Sequence, residues 1–382
     1  MGLNKFDIAI IGGGPAGSSI AIHLASCGLN VSLFEKKEFP RDVICGEFLS
    51  YEVIESLKKF GLYQRFMSLN PTSINSFRFI NNDSSEIRTE FPFESYAMKR
   101  SIFDNFLIDK AKESGVKVFQ PCEIKTIKRQ GALFTLKALG PQNTYEDVSS
   151  RFLIAAYGKQ NILDKLLNRN FVNRKSGLNG IKFHVSKKYL KDFPGNEIHI
   201  YAAQGIYCGI NSISSTEATL CFLEDRNNYT GSAKNHLNHL MKTNNKFADI
   251  FTSDFPDTIN GLQAYGAGNI YFGKKELVKD GIFMVGDAAG VIAPLTGDGI
   301  GMAFETAELL GKILADGIGK NKDAETMEKQ YIKKWNEHFK LRLLSAGFIQ
   351  KQVLGSVLQK TSIGILKLFP SILPKIVMMT RG

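Results

Sequence analysis

Apolar and polar positions run along the chain in two rhythms, one of period near 3.6 and one of period two or continuous. FDIAII is a short, partly β-branched apolar run, GGGPAG follows directly, SSIAIHLASCG carries helical apolar spacing up to a glycine stop, and VSLFE is a second apolar run. Together they predict a strand, a helix and a second strand, one βαβ unit. From there to about Tyr63 the pattern predicts a loop and a helix, with Val53, Ile54, Leu57 and Phe60 at helical spacing. FRFI and IRTEF flank the turn-prone NNDSS, which predicts a hairpin. Helical spacing returns in SIFDNFLIDKAKESG, with Phe103, Phe106 and Leu107 on one face and Gly115 as the stop, before the strand-like VKVF, EIKTIK and LFTLKAL and a buried parallel strand at FLIAAYG.

GIKFHV, EIHIYA, GIYCGI and EATLCFL then follow with no helix between them, which predicts an antiparallel sheet. A polar helix candidate, SAKNHLNHLMKTNNKFADIF, and further strands lead to a second glycine-rich segment, GIFMVGDAAGVIAPLTGDGIGMAFETAELLGKILADG, and the remainder has a helical pattern. No internal repeat or low-complexity tract interrupts this order. The predicted class is α+β. A doubly wound dinucleotide-binding domain comes from residues 1–70, 97–160 and 270–330, an antiparallel-sheet substrate domain from 71–96 and 161–269, and a helical C-terminal region from 331–382.

Composition narrows the class. The 382 residues are 43% hydrophobic and 22% charged, which excludes a disordered, collagen-like or coiled-coil chain. Net charge +11 favours anionic partners without choosing among them. The five cysteines, Cys27, Cys45, Cys122, Cys208 and Cys221, form no CxxC pair, so neither a disulfide framework nor a metal site is indicated and a reducing, cytoplasmic setting fits. The opening apolar run is too short for a signal-peptide core, Phe6 stands where myristoylation needs Ser or Thr, and IGILKLFPSILPKIVMM is broken by Lys367, Pro370, Pro374 and Lys375, against a bilayer span.

Gly12-x-Gly14-x-x-Gly17 lies directly between a predicted strand and helix, the context in which the motif binds a dinucleotide. The first glycine permits the tight turn, the second lets backbone approach a pyrophosphate, and the third lets helix and strand pack closely, while the helix N-terminus offers free N–H groups. Glu35, 18 residues after Gly17, closes the second strand where a carboxylate would grip ribose hydroxyls. At the far end of the chain, GIFMVGDAAG delivers Asp287 and AGVIAPLTGDGIG opens a helix. A carboxylate there can bond ribityl hydroxyls, and a helix N-terminus aimed at an isoalloxazine stabilises negative charge on the reduced ring. Two such segments folded together fit FAD, and no second GxGxxG supplies a dedicated NAD domain.

On these residues the sequence resembles the flavin-dependent oxidoreductases of the aromatic-hydroxylase (p-hydroxybenzoate hydroxylase-like) fold, and within them the geranylgeranyl reductase-type branch. The resemblance spans GGGPAG with Glu35, PRDVICGEFLS, KRSIFDNFLIDKA, GDAAGVIAPLTGDGIGMAFETA and the ending MMTRG. It implies that Gly12, Gly14, Pro15, Ala16, Gly17 and Glu35 bind the ADP half of FAD, with backbone at Ile124 beside the adenine. It places Arg100 and Asp287 at the pyrophosphate and ribityl region, and Gly299 with Ile300 at the flavin ring. Two departures stand out. Hydroxylases of this fold carry Ala-Asp-Gly where this chain reads Ala156-Tyr157-Gly158, which argues against direct NADPH use, and the single tryptophan, Trp335, argues against the paired-tryptophan motif of flavin halogenases. The electron donor is not named by any motif.

Cys45 lies in PRDVICGEF, the loop that in this fold passes the flavin, where a thiol would donate or relay a proton; alternatively it is a small buried apolar residue. Glu47 would orient that loop, act as the acid itself, or be a solvated carboxylate or cap. Lys182 and His184 alternate with Phe183 on one strand face, either lining a substrate cavity or half-solvated, while Cys208 and Cys221 sit in apolar strand runs as core candidates. Residues 338–382 carry Lys340, Arg342, Lys351, Lys360, Lys367, Lys375 and Arg381 and no acid, as in helices on anionic lipid, against an acidic partner, or capping the dinucleotide domain. No nucleic-acid module is present. The resemblance implies reduction of an isoprenoid or polyene C=C bond by hydride from reduced FAD, on an apolar small-molecule substrate. The alternatives are a monooxygenase working through a flavin hydroperoxide on an aromatic or polyene, and an electron-carrying flavoprotein without a small substrate.

Overall fold

The computed structural model describes residues 4–203, 205–227, 231–354, 378 and 381. Two sheets organise them. In the first, the strands run in the order Val278–Lys279, Ile282–Met284, Tyr145–Ala155, Asn4–Ile11, Val31–Phe34 and Lys117–Phe119. The last five of these pair in parallel. Ile8 to Ile11 and all four residues of VSLF are buried, as continuous apolar strands of a sheet covered on both faces must be. Glu123–Gln130 and Leu133–Leu139 form an antiparallel branch on Tyr145–Ala155. Helices Pro15–Ser26, Arg100–Glu113 and Gly299–Gly319 pack around this sheet, so three separate stretches of chain meet at it.

The second sheet has the order Ala264–Ala267, Leu178–Ser186, Glu217–Asp225, Ile206–Ser212, Glu197–Ala203, Ser76–Ile80 and Glu86–Glu90. The hairpin around NNDSS forms, Ser76–Ile80 against Glu86–Glu90. The sheet departs from a purely antiparallel one at a single junction, where Ser76–Ile80 runs parallel to Glu197–Ala203. The hairpin comes from a different part of the chain, so no short turn fixes its direction against that neighbour. One face of the sheet carries Phe183, Cys208, Ile210, Leu220 and Phe222 and packs on the helical segments beyond Ala233. The polar helix expected over that stretch breaks at Asn244 into Ala233–Thr243 and Asn245–Asp249, because the Asn244 side chain accepts from the Phe247 N–H and caps the second piece.

The long helix Ala324–Leu354 lays Met327, Tyr331, Trp335, Phe339 and Leu343 against the first sheet, and the Tyr331 hydroxyl donates to the Met284 carbonyl at 2.6 Å. Trp335 is thus core. Of the basic residues read as a surface for lipid or an acidic partner, Arg342 and Arg381 are buried in ion pairs. Burial without a counter-charge is too costly, so these two are structural rather than docking charges. Lys360, Lys367 and Lys375, and the apolar run from Ile363 through Val377, lie outside the described residues. Among the described residues no helix is long and apolar enough to cross a membrane.

Candidate functional site

The strand Asn4–Ile11 ends in a turn that only glycine fits. Gly12 has φ +106°, and a Cβ there would lie 2.5 Å from the Ala156 carbonyl oxygen. At Gly17 a Cβ would lie 1.8 Å from the Gly12 carbonyl oxygen, so helix and strand close on each other at that point. Gly14 differs: its added Cβ would meet only Arg41 Nη2, at 3.9 Å, and the position lines a cavity. The helix Pro15–Ser26 has no side-chain cap and no acid in its first turn, so its free N–H groups and positive end face that space. Glu35 is fixed beside them, accepting from the Gly13 N–H and the Lys37 N–H, each at 2.9 Å, with Arg41 Nη2 3.5 Å from the same carboxylate.

The far segment closes the ring. A Cβ on Gly286 would lie 2.8 Å from Ala16 Cβ, so the turn that presents Asp287 is packed on the first turn of that helix. Asp287 pairs with Lys159 at 3.0 Å, and its carbonyl accepts from Lys275 at 2.8 Å. Burial pushes the Lys275 ammonium down to about 8 despite the nearby Asp287. Gly299 is open, and the helix it begins has no side-chain cap either. Behind that helix start, Asp298 is held by Arg342 and by Arg381, the latter at 3.3 Å, while Arg342 also reaches Glu305 at 2.6 Å and Glu52 at 3.4 Å. Burial pushes the Asp298 carboxyl up to about 7 against the pull of Arg342.

Every residue expected to hold the cofactor lines one continuous cavity of about 1070 Å³, apart from Gly17, which shapes the turn beneath it. Arg100 does so with its guanidinium committed to Asp104, at 2.7 and 2.8 Å, which makes it a buried ion pair as well as a lining group. Arg41, like Lys159, is a cation of the site that sequence reasoning missed. It sits beside Gly14, Glu35 and Asp104, and nothing in the spacing of PRDVICGEF distinguishes it.

Cys45 lines the same cavity; its sulfur accepts from the Glu47 N–H at 3.3 Å and lies against the Arg100 guanidinium. Glu47 is fully buried, with φ +61°, a left-handed conformation uncommon for a residue with a side chain. Its carboxylate accepts from Lys182 at 3.0 Å and from the Arg100 N–H at 3.0 Å, and bonds His184 at 2.8 Å. Burial works to raise its pKa, but the His184 bond, the Lys182 charge and the Arg100 N–H outweigh it and hold Glu47 below the ordinary carboxylate range. Of the roles open to Glu47, loop orientation fits this ionised, fully bonded group, and proton donation does not. Lys182 and His184 do share a face, as their alternation required, and what they face is Glu47. Tyr157 lines the cavity, and its hydroxyl donates to Asp164 at 2.7 Å, while Arg169 pairs with the same carboxylate.

These glycine loops, free helix ends and fixed carboxylates fit a dinucleotide of FAD's kind, and the match to a known family agrees. The model of the FAD binding domain family matches residues 5–333. The chain belongs to that family. FAD is its cofactor, and it is a flavin-dependent oxidoreductase by family. Among curated relatives, conditioned medium factor receptor 1 of Dictyostelium discoideum is 25% identical over 315 residues, covering 76% of this chain. The chain spans about 60% of that protein's length. A digeranylgeranylglycerophospholipid reductase of Methanothermobacter thermautotrophicus is 25% identical over 319 residues, covering 77% of this chain and 73% of the relative. Among solved structures, the flavin-dependent brominase Bmp2 superposes with a TM-score of 0.75 at 18% identity, covering 99% of this chain and 93% of the other, a likeness of fold.

Proposed function

We propose that the chain reduces a carbon–carbon double bond in an apolar isoprenoid or polyene substrate. The observation that carries this reading is the continuity of one cavity, from the glycine loop and Asp287 across Cys45 to the apolar face of the second sheet, where Phe77, Phe79, Ile198, Ile200 and Leu223 line it. FAD, when bound and reduced, supplies the hydride. The chain's own residues do the rest. The sheet face takes an apolar body out of water, which favours binding in proportion to the area buried. Cys45 Sγ, at the junction of the two halves, holds the proton that the second carbon requires, with Arg100 beside it. Glu47 fixes the loop that carries Cys45 by bonding across to Lys182 and His184 on the sheet. A digeranylgeranylglycerophospholipid reductase stands among the relatives, which supports this reading.

The test is product analysis with the intact holoprotein. Reduced anaerobically by dithionite and mixed with geranylgeraniol, it should yield a product heavier by two hydrogens. A product that gains an oxygen only when air is admitted would establish the monooxygenase instead. An unchanged alcohol, with electrons passing only to a quinone or protein acceptor, would establish an electron carrier.

A further inference from the structure

The helix Ala324–Leu354 buries one face against the first sheet, and its outer face changes character along its length. Lys333, Lys334, Glu337, His338 and Lys340 make that face polar over its middle turns, as a solvated helix requires. Leu341, Leu344 and Phe348 then follow, and they are 78%, 62% and 64% exposed. At about 100° per residue the three fall within about 60° of one another, so they form one stripe. Among the described residues no other element exposes more than two large apolar side chains, and a contiguous exposed patch of this kind marks an interaction surface.

The stripe leads into the cavity. Phe348 lines the cavity while remaining largely exposed, so it stands at an opening. Beyond it Ile349, Gln352 and Val353 also line the cavity, and Val353 and Leu354 pack with Phe77, Phe79, Ile200 and Leu223 on the apolar face of the second sheet. The Leu354 carbonyl accepts from the Gly205 N–H at 3.3 Å, which ties the helix end to that sheet. From Leu341 to Leu354 the helix rises about 20 Å, so an apolar track of that length connects open solvent to the chamber. The charge beside the track has one sign. From Lys333 to Leu354 the exposed cations are Lys333, Lys334, Lys340 and Lys351, against a single acid, Glu337. Lys340 and Lys351 fall along one edge of the stripe.

We propose that this end of the helix lies on the surface of an anionic lipid bilayer and that the apolar substrate enters the cavity from the lipid. Leu341, Leu344 and Phe348 sit below the headgroups, and Lys340 and Lys351 meet the lipid phosphates. An interfacial helix of this kind needs an apolar face flanked by cations and does not need to span. The proposal rests on the reading of the chamber as an apolar substrate site and adds the phase from which the substrate comes. An isoprenoid leaves lipid for water at a cost proportional to its apolar area, and an opening set against the bilayer removes that step. A second copy of this chain is a poorer occupant, because joining two such stripes would bring their lysines together.

The test uses the intact, flavin-loaded protein and vesicles of phosphatidylcholine, alone or with an equal amount of phosphatidylglycerol, separated by flotation at low salt. Wild type should bind the mixed vesicles and bind the neutral ones about tenfold more weakly, as two cations near a charged surface imply. The double variant Leu341→Gln/Leu344→Gln should weaken binding to the mixed vesicles at least about tenfold, the effect of partly burying two leucines. Its flavin occupancy and thermal unfolding should be unchanged, because both side chains are exposed. After dithionite reduction it should also reduce geranylgeraniol carried in the mixed vesicles more slowly than wild type, and the detergent-dispersed alcohol at the wild-type rate. No flotation of wild type, or flotation that survives in the double variant, would overturn the proposal. A dimer in vesicle-free buffer that the double variant converts to a monomer would also overturn it and give the stripe to a second copy. Reduction of the detergent-dispersed alcohol without vesicle binding would remove the docking surface alone, whereas vesicle binding with no reduction in either form would remove the substrate reading and leave the surface.

Discussion

Replacing Glu47 by Gln keeps its shape and removes its charge, and the structure sets the scale of the consequence. Glu47 and Lys182 are both without solvent exposure in their side chains, and the carboxylate bridges Lys182, His184 and the Arg100 N–H. Losing the negative charge strands a buried ammonium, which costs about 3–5 kcal/mol where the pair is as dry as this one. Equilibrium urea denaturation followed by far-UV circular dichroism, with flavin retention measured alongside, reads that loss. Lys182→Met should also destabilise, by leaving Glu47 with fewer partners. The double variant should fall well short of the sum of the two single losses, since it removes both charges together. The pH dependence has a definite sign. A carboxylate held below its unfolded pKa contributes stability that is present above about pH 4.5 and disappears as pH falls through the folded value, so Glu47→Gln should lack that acid-side slope. A loss under about 1 kcal/mol in Glu47→Gln, or simple additivity in the double variant, would refute the reasoning.

Three further outcomes are expected. Gly14→Leu should block backbone approach to the pyrophosphate, and Asp287→Ala should remove a bond to the cofactor worth roughly 1–3 kcal/mol, about five- to two-hundredfold in FAD affinity; stoichiometric flavin in both purified variants would contradict the site. Cys45→Ala should leave FAD bound yet slow single-turnover oxidation of the reduced protein by an alkene about a hundred- to ten-thousandfold, and a change under about threefold would return Cys45 to a packing role. Asp298 has a folded pKa of about 7 against 3.8 for the free carboxyl, so its contribution to stability falls as pH rises from about 4 to 7; a thermal-shift profile of Asp298→Asn that keeps the wild-type slope across that window would be at odds with this.

The fold was readable in the sequence wherever a periodicity and a punctuating residue coincide. The glycine loop between two apolar rhythms, the hairpin turn NNDSS and the strand that delivers Asp287 all announce themselves locally. What escaped a local reading is what distant segments do to one another. Glu47 meets Lys182 and His184 across 135 and 137 residues, and only the docking of the second sheet over the Cys45 loop makes them neighbours. The same holds for Arg342 and Arg381, whose charges look like a surface feature in a run without acids until Asp298, Glu52 and Glu305 are brought in from elsewhere.

Hydride transfer to an apolar alkene can be followed by anaerobic stopped-flow. Fully reduced holoprotein is mixed in separate runs with geranylgeraniol, with oxygen, and with a quinone. The oxidised flavin spectrum should return on mixing with the alkene, and the dihydro product formed should match the flavin reoxidised, one for one. Return of the spectrum only with oxygen or the quinone, with the alkene unchanged, would contradict it.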